Sequence, residues 1–166
     1  MMEIPDYVGQ TVAGICPLNE AAASEGLARI EIMREAAEGD WPKFLCVHQP
    51  MNLAWVELFD THYDLARVDE LFRNSDPADF SNDYVVTVCE FGAVLGSVMR
   101  NLLPRLAWFP SWPYWESSIF DAETGSVIPV FHWAIKKFST YGVDDGFAEK
   151  LQVCVQILQD AQPAAE

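Results

Sequence analysis

The sequence predicts an α+β domain: four to five helices packed around a small, mostly antiparallel three-stranded sheet contributed by residues 106–130. Two patterns carry that expectation. Apolar residues recur at helical spacing before Pro104 and again after Val130. Between these stretches the pattern changes to short aromatic and β-branched runs separated by turn residues. The length of 166 residues, 51% of them hydrophobic, suits one domain over 1–166 that buries a core without disulfide staples. A tail from about residue 160 is expected to fray.

The elements follow in order. Ala23, Leu27, Ile30, Met33 and Ala37 step by four, three, three and four, an amphipathic helix over Asn19–Glu38 with Asn19 or Ser24 as cap and Gly39-Asp40 as stop. Trp41 to Pro50 is bracketed by prolines and reads as an extended link or a single turn. Leu53, Val56, Phe59 and Tyr63, then Leu65, Val68, Leu71 and Phe72, keep a helical period to Asn74, with Thr61-His62 as a break point. Ser75 to Ser81 is a loop by composition.

The strongest helix runs from Asp83 to Leu103, capped by Ser81 or Asn82, because Val85, Val88, Gly92, Leu95, Met99 and Leu102 alternate steps of three and four. Phe91, Val94 and Val98 widen the buried arc. Gly92 and Gly96 leave a smooth strip where another element can approach the backbone. Gly-x-x-x-Gly is a membrane dimer motif only within a long apolar span, and the uncharged run from Phe91 to Met99 is too short to cross a bilayer.

From Trp108 to Trp115, five of eight residues are aromatic and two are proline, so the segment is either an anchored core or a binding face. Ala107 to Phe109, Tyr114 to Phe120 and Ser126 to Val130 read as strands. Asp121 to Gly125 supplies the hairpin loop, with Gly125 free to take positive φ. A short helix then turns Phe131, Ile135 and Phe138 inward and ends at Tyr141-Gly142. Asp144 or Asp145 caps a final helix carrying Phe147, Leu151, Cys154 and Leu158.

With 25 acids against 10 bases the net charge is −15, which argues against nucleic acid and anionic membranes, whose phosphates are held by Lys and Arg. Solubility alone explains such a surplus, and so does a basic protein partner. The four cysteines, Cys16, Cys46, Cys89 and Cys154, are dispersed and form no Cys-x-x-Cys pair, which suits a reducing compartment. The N-terminus lacks the basic start and apolar run of a signal peptide, so the expected location is cytoplasmic.

Phe91-Gly-Ala-Val-Leu-Gly96, Leu106-Ala-Trp108, the Val127-Ile-Pro129 strand end and Lys136-Lys137 follow one another in a recognisable order. Over about residues 91–151 the chain resembles a group of small bacterial proteins of unknown function, built on a Phe-Gly-x-x-Leu-Gly helix followed by a Leu-x-Trp strand. The resemblance implies an accessory or neutralising role rather than a metabolic one.

Candidate chemistry is sparse. Asp60, His62 and Asp64, with Glu57 and His48, are placed poorly for a metal, since on a helix His62 points roughly 200° away from Asp60. Cys89, Glu90 and His132 form a triad-like set, but Cys89 follows a core row and reads as buried and inert. Glu90 either faces a solvent sector or is buried with Arg100, Arg105 or Lys136 as partner. No catalytic residue, metal or cofactor is assigned. The suspected contact residues are Trp112, Tyr114, Trp115 and Glu116, because tryptophan and tyrosine dominate binding hot spots. The leading expectation is an acidic binding protein, of the immunity or antitoxin-like kind, that inhibits a basic protein. One alternative is a small hydrolase or carbohydrate-binding enzyme using Glu90 and Glu116 over a tryptophan floor. The other is a structural homodimer.

Overall fold

The computed structural model describes residues 31, 33–47, 52–62, 76–137, 146–161 and 163. The expected helix before residue 31, the continuation over 63–74, and the proposed caps Asp144 and Asp145 lie outside those residues. After helical turns over 33–39 come α1 (Trp41–Val47), α2 (Leu53–His62) and α3 (Asp83–Leu102). Strand β1 (Ala107–Phe109), a 3-10 turn (Tyr114–Glu116), β2 (Ser118–Asp121) and β3 (Ser126–Ile128) follow. Helices α4 (Val130–Lys137) and α5 (Phe147–Asp160) complete an α+β architecture.

Helix α1 replaces the expected link. The Asp40 carboxylate accepts a hydrogen bond from the Lys43 amide at 3.2 Å and the Asp40 carbonyl accepts one from the Phe44 amide at 2.9 Å, which together start the helix. Pro42 falls in the first turn, where a missing N–H costs nothing. One face buries Trp41, Phe44 and Leu45 while Pro42, Lys43 and Cys46 stay outside.

Helix α3 is the axis of the core, with every residue from Val85 to Met99 buried. The expected solvent sector is therefore absent over that stretch, and Thr87, Glu90 and Ser97 are enclosed with the apolar residues. By length and composition Val85–Leu102 would suffice to cross a membrane, contrary to the expectation from the shorter uncharged run. Yet 83% of that window is buried in the protein, as in a core helix packed on all sides.

The glycine strip on α3 has two occupants. A Cβ on Gly92 would overlap the Phe131 ring of α4, and one on Gly96 would overlap the six-membered ring of Trp108 on β1. The bare backbone thus lets α4 and the sheet close onto the same helix.

The sheet has order β1-β2-β3, antiparallel throughout, with Trp108, Ile119 and Ile128 in register on the inner face. Trp108 reaches Phe131 at 5.9 Å between ring centroids. Gly125, at φ 75°, closes the expected hairpin and donates to the Asp121 carbonyl at 2.7 Å. The strand expected over Tyr114 to Phe120 begins only at Ser118. Its first part is a 3-10 turn, held by Glu116 N–H to Pro113 O and Ser117 N–H to Tyr114 O, both at 3.0 Å.

Helix α5 points Phe147, Ala148, Leu151, Val155 and Leu158 inward. Its cap comes from across the chain. Asp60 of α2 accepts hydrogen bonds from the Phe147 amide (3.0 Å) and the Ala148 amide (2.8 Å), so a carboxylate sits at the positive end of the helix. Asp60→Ala should therefore cost about 1 kcal/mol in urea unfolding and speed amide exchange at Phe147 and Ala148. Unchanged exchange there would show that the cap is unimportant.

Candidate functional site

The segment between β1 and β2 folds into an aromatic wall. Tyr114, 0% exposed, is its centre, with ring centroids 5.2 Å from Trp115, 5.6 Å from Phe80, 5.8 Å from Phe131 and 6.2 Å from Trp41. Its hydroxyl donates to the Pro77 carbonyl at 3.0 Å, tying the wall to the loop before α3. Trp112 stands on the rim, 51% exposed, with its ring centroid 5.4 Å from that of Phe80 and 5.8 Å from that of Trp41. The Trp112–Pro113 peptide is cis.

Ser117 holds the segment in place. Its hydroxyl donates to the Ser111 carbonyl (2.8 Å) and accepts from the Ser111 amide (2.9 Å) and from Trp41 Nε1 (2.8 Å). One donor and two lone pairs are all used, which suits a side chain 1% exposed. Ser117→Ala leaves the Ser111 amide and the Trp41 indole N–H without this acceptor. A loss of about 2 kcal/mol is expected in chemical denaturation; a change under 0.5 kcal/mol would mean that the clamp is replaceable.

The four suspected contact residues do not share one surface. Trp112 and Glu116 are exposed, Trp115 is half-buried and Tyr114 is enclosed. The correction for Tyr114 follows from the 3-10 turn, which replaces the two-residue alternation of a strand and turns this ring inward. The acids nearest in sequence to the wall lie outside it: Asp40 beside Trp41, Asp79 beside Phe80 and Glu116 beside Trp115 are all exposed.

Glu90 is 0% exposed, so the reading that turns it to solvent is corrected: α3 is packed on all sides at that level. Arg105 does not serve as its counter-ion. Both Arg105 Nε (3.1 Å) and Nη2 (3.0 Å) go to Asp121, and Nη1 reaches Glu123 at 2.6 Å. With Glu90 enclosed and Glu116 exposed, these carboxylates do not line one open cleft, as a hydrolytic pair flanking a substrate would need.

The other candidates separate too. Cys89 is fully buried and its burial pushes the thiol well above the ordinary range, opposite to what a nucleophile needs, while His132 is exposed. Asp60 is taken up by the α5 cap, and the side chain of His62 and the whole of Asp64 and His48 lie outside the described residues. Among the described residues no group of three or more His, Cys, Asp or Glu is placed to hold a metal ion.

Two features escaped sequence reasoning. The outward row of the sheet, Ala107, Phe120 and Val127 in register with Phe109 alongside, carries no charged side chain, and Phe109 and Val127 are 63% and 60% exposed. An open groove of about 460 Å³ also runs beside α5, lined by Trp133, Lys150, Val153, Cys154 and Ile157, with Lys150 Nζ 4.6 Å above the Trp133 ring. Val153 and Ile157, four apart in the sequence, could have signalled that second face of α5. The sheet row could not be read because it depends on the pairing register that sets Ala107, Phe120 and Val127 side by side, although the β1 bounds Ala107–Phe109 were as expected. The chain matches no protein-family model, no curated protein and no solved structure.

Proposed function

We propose that this chain is an acidic cytoplasmic binding protein that engages and inhibits a basic protein, in the manner of an immunity or antitoxin-like inhibitor. The contact face is the rim of the aromatic wall, with Trp112 as anchor and Trp115 and Glu116 beside it. The observation that carries this reading is a half-exposed tryptophan packed against buried Trp41 and partly buried Phe80 in a chain of net charge −15. Pre-positioned aromatic side chains lose little entropy on binding, and an acidic field steers a basic partner and speeds its encounter. Affinity capture from native lysate at low and high salt, with Trp112→Ala alongside, tests it. A basic protein released by salt and lost in the variant supports the reading. Capture that is indifferent to both salt and Trp112 counts against it.

A second reading, a structural homodimer, is favoured by the uncharged outward row of the sheet. Antiparallel sheets with one free face normally make it polar, whereas here Phe109 and Val127 stand in solvent. The mass of the protein as a function of concentration, compared with Phe109→Lys, tests this. A mass that stays at one chain at every concentration removes the homodimer.

A further inference from the structure

We infer that the group seated on Trp112 is an arginine guanidinium of the partner, stacked on the open face of the indole; this rests on the acidic-inhibitor reading above. The indole packs edge-on with Trp41 at 5.8 Å and tilted against Phe80 at 5.4 Å between ring centroids, and about half of it remains open to an incoming group. The indole face carries the negative end of the ring quadrupole and attracts cations, most strongly for tryptophan. Asp40 and Asp79, exposed and next in sequence to Trp41 and Phe80, accept hydrogen bonds from Lys43 and Ser81 through one oxygen each, and exposed Glu116 follows Trp115, so the charge complementarity for a cation rests on these acids and on the net charge of −15. Arg34 pairs with Glu31 and donates to the Phe80 carbonyl at 2.7 Å, and exposed Lys43, two residues from Trp41, is an opposing charge.

Arginine fits this place better than lysine. A guanidinium is planar and weakly hydrated, so it stacks on the ring while its edge N–H groups remain free to bond a carboxylate. An ammonium is compact and strongly hydrated, and it uses the carboxylates without needing the ring. Stacking on Trp112 therefore predicts discrimination between two cations of equal charge, which the net charge of the protein cannot supply.

The test titrates the intact protein with short arginine and lysine homopeptides of equal length, read by the indole N–H resonance of Trp112 and by calorimetry. The arginine peptide should bind roughly five- to tenfold more tightly and shift the Trp112 resonance. Trp112→Ala should reduce its affinity to that of the lysine peptide, while Trp112→Phe, which keeps a ring against Trp41 and Phe80, should retain part of the preference. Equal affinities that do not change in Trp112→Ala overturn the stacking inference and leave the acidic-face reading standing. Failure of both peptides to bind at low salt overturns both.

Discussion

Gly96→Ala should destabilise the protein by about 2 kcal/mol, although alanine is the better helix former. In an exposed helix the exchange would gain about 1 kcal/mol. Here the added methyl would occupy the space of the Trp108 six-membered ring, and that ring is wedged between β1 and α3 with Phe131 behind it. Relief requires the sheet to withdraw from the helix, and overpacking of this kind typically costs 1–3 kcal/mol or more. Severe overlap puts the cost at or beyond the top of that range, so it exceeds the propensity gain. Gly92→Ala meets Phe131 in the same way, and the double variant should fail to fold. Urea denaturation gives the size of each loss. The mechanism is isolated by Trp108→Phe, which removes the overlapped ring atoms: in the Gly96→Ala background it should recover part of the loss, a non-additivity of 1 kcal/mol or more. Strict additivity would show that the penalty arises elsewhere.

Asp121→Asn is expected to cost about 3 kcal/mol at neutral pH. Its carboxylate is 0% exposed and accepts four hydrogen bonds: two from Arg105, one from Thr124 Oγ1 at 2.8 Å and one from the Glu123 amide at 3.1 Å. Asparagine offers one acceptor oxygen and turns an NH₂ toward donors, so at least two of these bonds are lost. Arg105 is itself 30% exposed, paired with Glu123 and bonded through Nη2 to the Leu158 carbonyl at 2.8 Å, which keeps the cost at the low end for breaking a buried pair. The same bonds join the β2–β3 hairpin to the end of α5, so α5 should loosen first.

This site also sets a pH dependence. Burial alone would raise the Asp121 carboxyl, but the hydrogen bonds from Arg105, Thr124 and the Glu123 amide, with the Arg105 charge, together hold it below the ordinary carboxylate range. A carboxyl depressed in the folded state contributes stability that is fully present above its unfolded pKa of about 4 and lost as pH falls through the folded value. The stability difference between the parent protein and Asp121→Asn should therefore be constant from about pH 5 to 7 and shrink below about pH 4. Urea unfolding across that range reads it directly. A difference that persists at pH 2 would place the effect in packing and not in charge.

Legibility differed by the reach of the interaction. The helical period of Val85 to Leu102 and the turn glycine at Gly125 could be read because each depends on neighbours a few residues away. The Gly92–Gly96 strip could be read as a place of close approach, although which rings filled it could not. Helix α1 was missed because Pro42 and Pro50 read as breakers, while a proline in the first turn is compatible with a helix. Tyr114 and Trp112 could not be told apart. Only Pro113 separates them, yet one ring is the centre of the wall and the other its rim, because the 3-10 turn after Pro113 sets their directions and sequence alternation does not.

By itself, then, the sequence determined the α+β class, the long apolar helix at the centre, the hairpin turn and a net charge of −15. These follow from periodicity, local backbone preference and composition, which are properties of short windows or of the whole chain. Tertiary structure decided which tryptophan stands in solvent, that Glu90 is enclosed, that Asp60 caps a helix 87 residues onward and that Ser117 clamps Trp41 from 76 residues away. Each of those depends on where a distant segment lands, and burial and hydrogen bonding are settled only when the chain has closed on itself.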